Sequence, residues 1–253
     1  MSYRVFCACA GSYVKVPRTE VRTASYMSNS PPETIEHADR LYAAREEKNG
    51  VRQSIELLQP LAATGDYEAT WRICRALFFL GQESPDKAKA RRLHRQAVTL
   101  GERAIKTATN RVENYFWLGV NLALFAEVEN VFRASRHALR AKRMLSRAAR
   151  IDPAYHGAAP LRVLAKLTHK LPTLLGGSTK RALALFERAI ELAPSNTVTR
   201  IYFAEMLLEI GDATLARTQL EALLDAPIDP AWAFETKRDR HLALELLQTI
   251  KTD

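Results

Sequence analysis

Residues 177–195, GSTKRALALFERAIELAPS, and residues 211–229, GDATLARTQLEALLDAPID, carry one pattern at a spacing of 34 residues. Gly177 pairs with Gly211, Ala182 with Ala216, Phe186 with Leu220, and Ala189 with Leu223. Positions at steps of four and three, small, large and small in Ala182, Phe186 and Ala189 and small, large and large in Ala216, Leu220 and Leu223, lie on one face of a helix. Such a face lets a partner helix come close at the small positions and fills the gap between neighbours at the large one. A unit of this length holds two helices and cannot bury that face alone, so the chain must stack successive copies into a solenoid.

The period equals that of the tetratricopeptide repeat, and Ala182, Phe186, Ala189 and the turn-forming Pro194 fall in the order its second helix uses. The same frame fits AKRMLSRAARIDP, where Ala141, Leu145, Ala148 and Pro153 lie 41 residues earlier, which places a seven-residue insertion in the following helix or its turn. First helices carry matching positions at Ala38 and Leu41, at Trp71, Cys74 and Phe78, and at Leu118, Gly119 and Leu122. Helical periodicity predicts segments 33–48, 51–63, 66–80, 85–107, 111–128, 130–150, 154–170, 179–193, 196–210, 212–225 and 231–250. Ser84-Pro85 and Ser178 are expected as helix starts, and Gly81, Gly176-Gly177 and Gly211 as helix ends. The expected architecture is an all-α, tetratricopeptide-like solenoid over residues 31–253, with about five helical pairs and a C-terminal capping helix. With 253 residues, 47% of them hydrophobic, the chain is ample for that core.

Charge is concentrated. Formal net charge is +9, and residues 131–170 alone hold ten Lys or Arg against Asp152. Arg133, Arg136, Arg140, Arg143, Arg147 and Arg150 recur at steps of three and four, opposite Ala134, Ala138, Ala141, Leu145 and Ala148 on the helix wheel. The alanine side packs and the arginine side points outward, onto the convex surface of a solenoid. The row is then a solvated face, a face paired by acids of adjacent helices, or a docking surface for an acidic protein, anionic lipid or nucleic acid. It carries no Asn or Gln to read bases, which argues against sequence-specific nucleic-acid recognition.

Inner-surface positions come from the first helices, a mostly apolar set that offers Phe79, Phe116, Val120, Leu124 and Ile201 as groove or ligand contacts and includes Glu205, with Arg72 and Glu113 as nearby charges. That set argues against a clamp for a peptide carboxylate and fits either plain core or an apolar ligand cavity. No Gly-x-Ser-x-Gly, phosphate loop or His-Glu-x-x-His occurs, and the six histidines show no ligand spacing, His156 and His169 reading as surface residues. A non-enzymatic protein without metal or cofactor is expected.

LPTLLGGSTKRALALFERAIELAPSN, with its connector Leu171, Pro172, Gly176 and Gly177, resembles the T-component (TatT) family of tripartite ATP-independent periplasmic (TRAP) transporters. NYFWLGVNLALFAE and the long basic helix extend the resemblance over about residues 35–250. It implies a periplasmic protein with a lipid-attachment cysteine that works beside a solute-binding protein. The start, MSYRVFCACAGS, fits that only in part: residues 1–30 read as a disordered tail or the remnant of an export signal, with Cys7 or Cys9 as the candidate attachment site. The alternative is a cytoplasmic scaffold whose arginine row docks an acidic partner, anionic membrane or nucleic acid.

Overall fold

The computed structural model describes residues 31–129 and 131–250; the expected N-terminal tail, with Cys7 and Cys9, lies outside the described residues. Eleven α-helices follow one another among the described residues: α1 Pro31–Ala43, α2 Lys48–Ala63, α3 Tyr67–Gln82, α4 Lys87–Thr107, α5 Val112–Glu127, α6 Val131–Ile151, α7 Tyr155–Lys170, α8 Thr179–Leu192, α9 Thr197–Glu209, α10 Ala213–Asp225 and α11 Ala233–Thr249. Single 3₁₀ turns, Thr173–Leu175 and Pro230–Trp232, precede α8 and α11. Odd-numbered helices pack on odd-numbered neighbours, α3 on α5 and α7 on α9, while each even-numbered helix packs between its own first helix and the next. The result is the five-pair solenoid plus capping helix.

The repeat positions are where the helices meet. Ala141, Leu145 and Ala148 of α6, Ala182, Phe186 and Ala189 of α8, and Ala216, Leu220 and Leu223 of α10 are all fully buried. Phe186 stacks on Phe203 of α9 with ring centroids 5.1 Å apart. Asp66, Ser178, Asn196 and Asp212 cap their helices through side-chain oxygens that accept backbone N–H groups.

Two punctuation marks differ from the sequence expectation. At the start of α4 the cap is Asp86, whose Oδ1 accepts from the backbone N–H groups of Ala88 and Lys89, so the helix begins two residues after Pro85. Gly81 is the penultimate residue of α3, next to its end as expected but not in the left-handed region; its lack of a side chain makes room for the His94 ring of α4.

A third difference matters more. The segment from Tyr155 does not enter a right-handed helix directly: His156 (φ 52°), Gly157 (φ 63°) and Ala158 (φ 57°) form a left-handed turn first. Pro160 then falls in the first turn of the right-handed part, where its missing N–H costs nothing. Each non-glycine residue in that left-handed region costs about 1–2 kcal/mol.

The superhelix closes on itself. Arg45, in the turn after α1, donates to Glu235 near the start of α11 (2.5 and 3.1 Å) and to the Ala231 carbonyl (3.2 Å). Beside this pair Phe79 and Phe234 meet edge to face at 5.7 Å. Residues 190 apart in sequence therefore join the first pair of helices to the last element.

Candidate functional site

Closure turns the concave face into a small open-mouthed cavity of about 70 Å³. Every first helix contributes a wall: Tyr42 from α1, Phe79 from α3, Phe116, Trp117 and Val120 from α5, Arg162 from α7, and Val198 and Tyr202 from α9. Trp232, Phe234, Glu235 and Arg238 complete it from the closing segment. The aromatic rings contact one another, Phe116 with Trp117 at 4.8 Å and with Tyr155 at 5.5 Å, and they surround His156, which lies 4.6 Å from Trp232 and 5.4 Å from Trp117. His156 is exposed within this basin, as its sequence position suggested for a surface residue. Enclosure by the walls, then the Arg162, Arg75 and Arg45 guanidinium groups, hold its imidazole below the usual histidine range.

Of the five inner positions read from the sequence, Phe79, Phe116 and Val120 line the cavity, whereas Leu124 and Ile201 do not. Both are buried, and Ile201 belongs to the core formed with Phe186, Phe203 and Leu220. The register of α9 presents Val198 and Tyr202, one turn apart, in place of Ile201. Arg72 and Glu113 are already engaged: Arg72 with Asp39 and Glu68, and Glu113 with the Tyr67 hydroxyl.

Arg162 falls within the basic stretch 131–170, yet only 5% of it is exposed and it lines the cavity. Its Nη1 donates to the carbonyls of His156 (3.2 Å) and Gly157 (2.7 Å), pinning the left-handed turn. Burial pushes its pKa down to about 10, so the guanidinium keeps its charge at neutral pH. The other two cations of α7 are paired: Lys166, itself buried, with Glu205 at 2.9 Å, and the half-buried Lys170 with Glu209. The basic stretch of 131–170 is thus divided between an outer and an inner surface.

The outer surface is larger than the sequence suggested. Arg133, Arg136, Arg143 and Arg150 are exposed on α6, and Arg140 and Arg147 are half-buried. Acids or amides of neighbours reach three of the six: Glu129 lies 3.7 Å from Arg133, Glu102 pairs with Arg140, and Arg147 donates to Asn110. Arg136, Arg143 and Arg150 make no ion pair with a described residue. The Arg140–Glu102 pair also brings α4 alongside, a helix with seven Lys or Arg against Glu102, six of them exposed: Lys87, Lys89, Arg92, Arg95, Arg103 and Lys106.

The connector has a steric rationale. Gly176 (φ 79°) ends the 3₁₀ turn in the left-handed region, and a side chain at Gly177 would overlap the Leu171 carbonyl oxygen, with its carbonyl carbon 2.6 Å away. Leu171-Pro172-x-x-x-Gly176-Gly177 is therefore one tight turn, fastened by N–H donations from Gly177 to Pro172 and from Ser178 to Thr168. A family profile described as the TRAP transporter T-component matches residues 74–249, from inside α3 through the end of α11. The chain belongs to the T-component family.

No curated protein matches the chain. Among solved structures, this T-component chain is similar to TTC0263, a thermophilic TPR protein in Thermus thermophilus: 20% identity, TM-score 0.65, 85% of this chain and 100% of that one. The likeness shows the fold alone. Yeast Tom70 aligns over 93% of this chain and 68% of its own at 15% identity and a TM-score of 0.32, too loose to carry an argument. Among the described residues no helix is long and apolar enough to cross a membrane, and no group of three or more His, Cys, Asp or Glu could hold a metal ion.

Proposed function

We propose that this chain works in the periplasm as a non-enzymatic T component that binds the solute-binding protein of its transporter and holds an apolar ligand in the concave cavity. The observation that carries this reading is the T-component match over residues 74–249, which spans α5, α7, α9 and α11, four of the cavity's walls. Phe79, Phe116 and Val120, with Val198 and Trp232, are the apolar contacts for the ligand.

The convex basic face supplies the docking surface. Arg133, Arg136, Arg140, Arg143, Arg147 and Arg150, extended by the exposed cations of α4, present one sign of charge to an acidic partner. Such a surface steers association and loses strength as salt screens it.

The test is to mix the purified chain with the solute-binding protein of the same transporter and follow the complex by size exclusion with light scattering. A complex that weakens with salt, is abolished by R136E/R143E/R150E and survives V120W is the expected result. No complex at any ionic strength would sink the partner assignment. Intact mass of the membrane fraction, from cells expressing the gene with its native upstream sequence, checks the periplasmic, lipid-anchored location.

A further inference from the structure

Charge is expensive on the wall of an aromatic cavity, and a fold that keeps it there has to neutralise it. Four lining residues carry formal charge: Glu83, Arg162, Glu235 and Arg238. Three are paired within the protein, Glu83 with Lys48 at 3.8 Å, Glu235 with Arg45 at 2.5 Å and Arg238 with Asp239 at 2.9 Å. Arg162 is the most buried of the four and makes no ion pair with a described residue.

Its hydrogen bonds are one-sided. Nη1 is spent on the carbonyls of His156 and Gly157, while Nε and Nη2 donate to no described residue. That free edge holds two parallel N–H groups, the spacing a carboxylate accepts with both oxygens. The Trp232 ring, 5.5 Å from the guanidinium carbon, and the rings of Phe116, Trp117 and Phe234 supply the apolar remainder of the cavity. Arg162 also fixes the strained turn at His156–Ala158, and the two carbonyls in return hold its guanidinium in place.

We infer that the cavity takes an amphipathic small molecule with an apolar or aromatic body and a single carboxylate, which the Nε–Nη2 edge of Arg162 receives. This rests on the reading of the cavity as a ligand site. A small molecule is favoured over a protein C-terminus because the Arg45–Glu235 pair and the Phe79–Phe234 contact shut the groove across which an extended peptide would have to run.

Isothermal titration calorimetry on the full chain, with 4-phenylbutyrate and its neutral analogue 4-phenylbutanamide, separates the two ideas. The acid is expected to bind about tenfold or more tightly than the amide, the size of a charge-assisted bidentate contact. R162M should remove the acid's advantage over the amide, so that the two bind with equal affinity, while V120W should abolish both. Equal affinity of acid and amide for the unaltered chain would overturn the anion seat and leave the apolar cavity standing. Absence of binding by either compound would overturn both. The acid–amide comparison on the unaltered chain is decisive by itself if R162M fails to fold.

Discussion

At Gly177 the backbone has no room for even one carbon, because the Leu171 carbonyl occupies the place a side chain would take. Gly176 has a different constraint, a φ of 79° that any L side chain adopts at a cost. Gly177→Ala should therefore destabilise by about 3 kcal/mol, since the obstacle is backbone that must move. Gly176→Ala should cost only about 1 kcal/mol, the left-handed penalty. Urea unfolding of the two variants tests this order; equal losses would mean that the connector yields as easily at one position as at the other. Of the two glycines, the sequence offers only the pattern, and which is limited by φ and which by space was decided by how the turn folds over Leu171.

At the scale of the helix, α6 has two sides with different energetic weight. Leu145 is fully buried among the cores of α5 and α7, whereas Arg136, Arg143 and Arg150 touch no described acid. Leu145→Ala should cost about 3 kcal/mol through lost burial and the cavity it leaves. R136E/R143E/R150E should change stability by less than about 0.5 kcal/mol per site, because each replaces an exposed charge and relieves like-charge contact along the row. Thermal melts of both variants check the contrast. A large loss in the triple variant would show that the row is a structural brace rather than a free face. Periodicity alone separates these two sides, which is why Ala141, Leu145, Ala148 and the six arginines were legible in the sequence. The partners were not: Glu102 and Asn110 lie on α4 or in the turn after it, 37 to 38 residues away, and only the stacking of pairs brings them alongside.

Across the whole molecule, closure depends on few contacts. Arg45 and Glu235 keep 10% and 17% of their side-chain surface, and between them they tie the first turn of the solenoid to its last helix. Arg45→Ala should cost about 2 kcal/mol, below the roughly 3–5 kcal/mol of breaking a fully buried pair, because Glu235 retains some water. The loss should be local: hydrogen exchange should quicken at residues 231–236, while the core of α8, α9 and α10 keeps its protection. Uniform loss of protection through all helices would mean that closure and the repeats form one cooperative unit.

The sequence by itself determined the helices, their pairing and the outward arginines, because each of these is a property of residues three, four or 34 positions apart and survives any choice of superhelical curvature. Tertiary structure decided the site. Phe79, Phe116 and Val120 become cavity walls, and Leu124 and Ile201 become core, according to how each helix is rotated against its neighbours. Arg162 reads as one more cation of a basic stretch until the left-handed turn at His156–Ala158 swings the start of α7 inward and buries it. Trp232 and Phe234 read as the beginning of a cap until the ends of the solenoid meet. Local spacing cannot encode these outcomes, since they follow from the summed rotation of five helical pairs, and that sum is fixed only when the chain closes on itself.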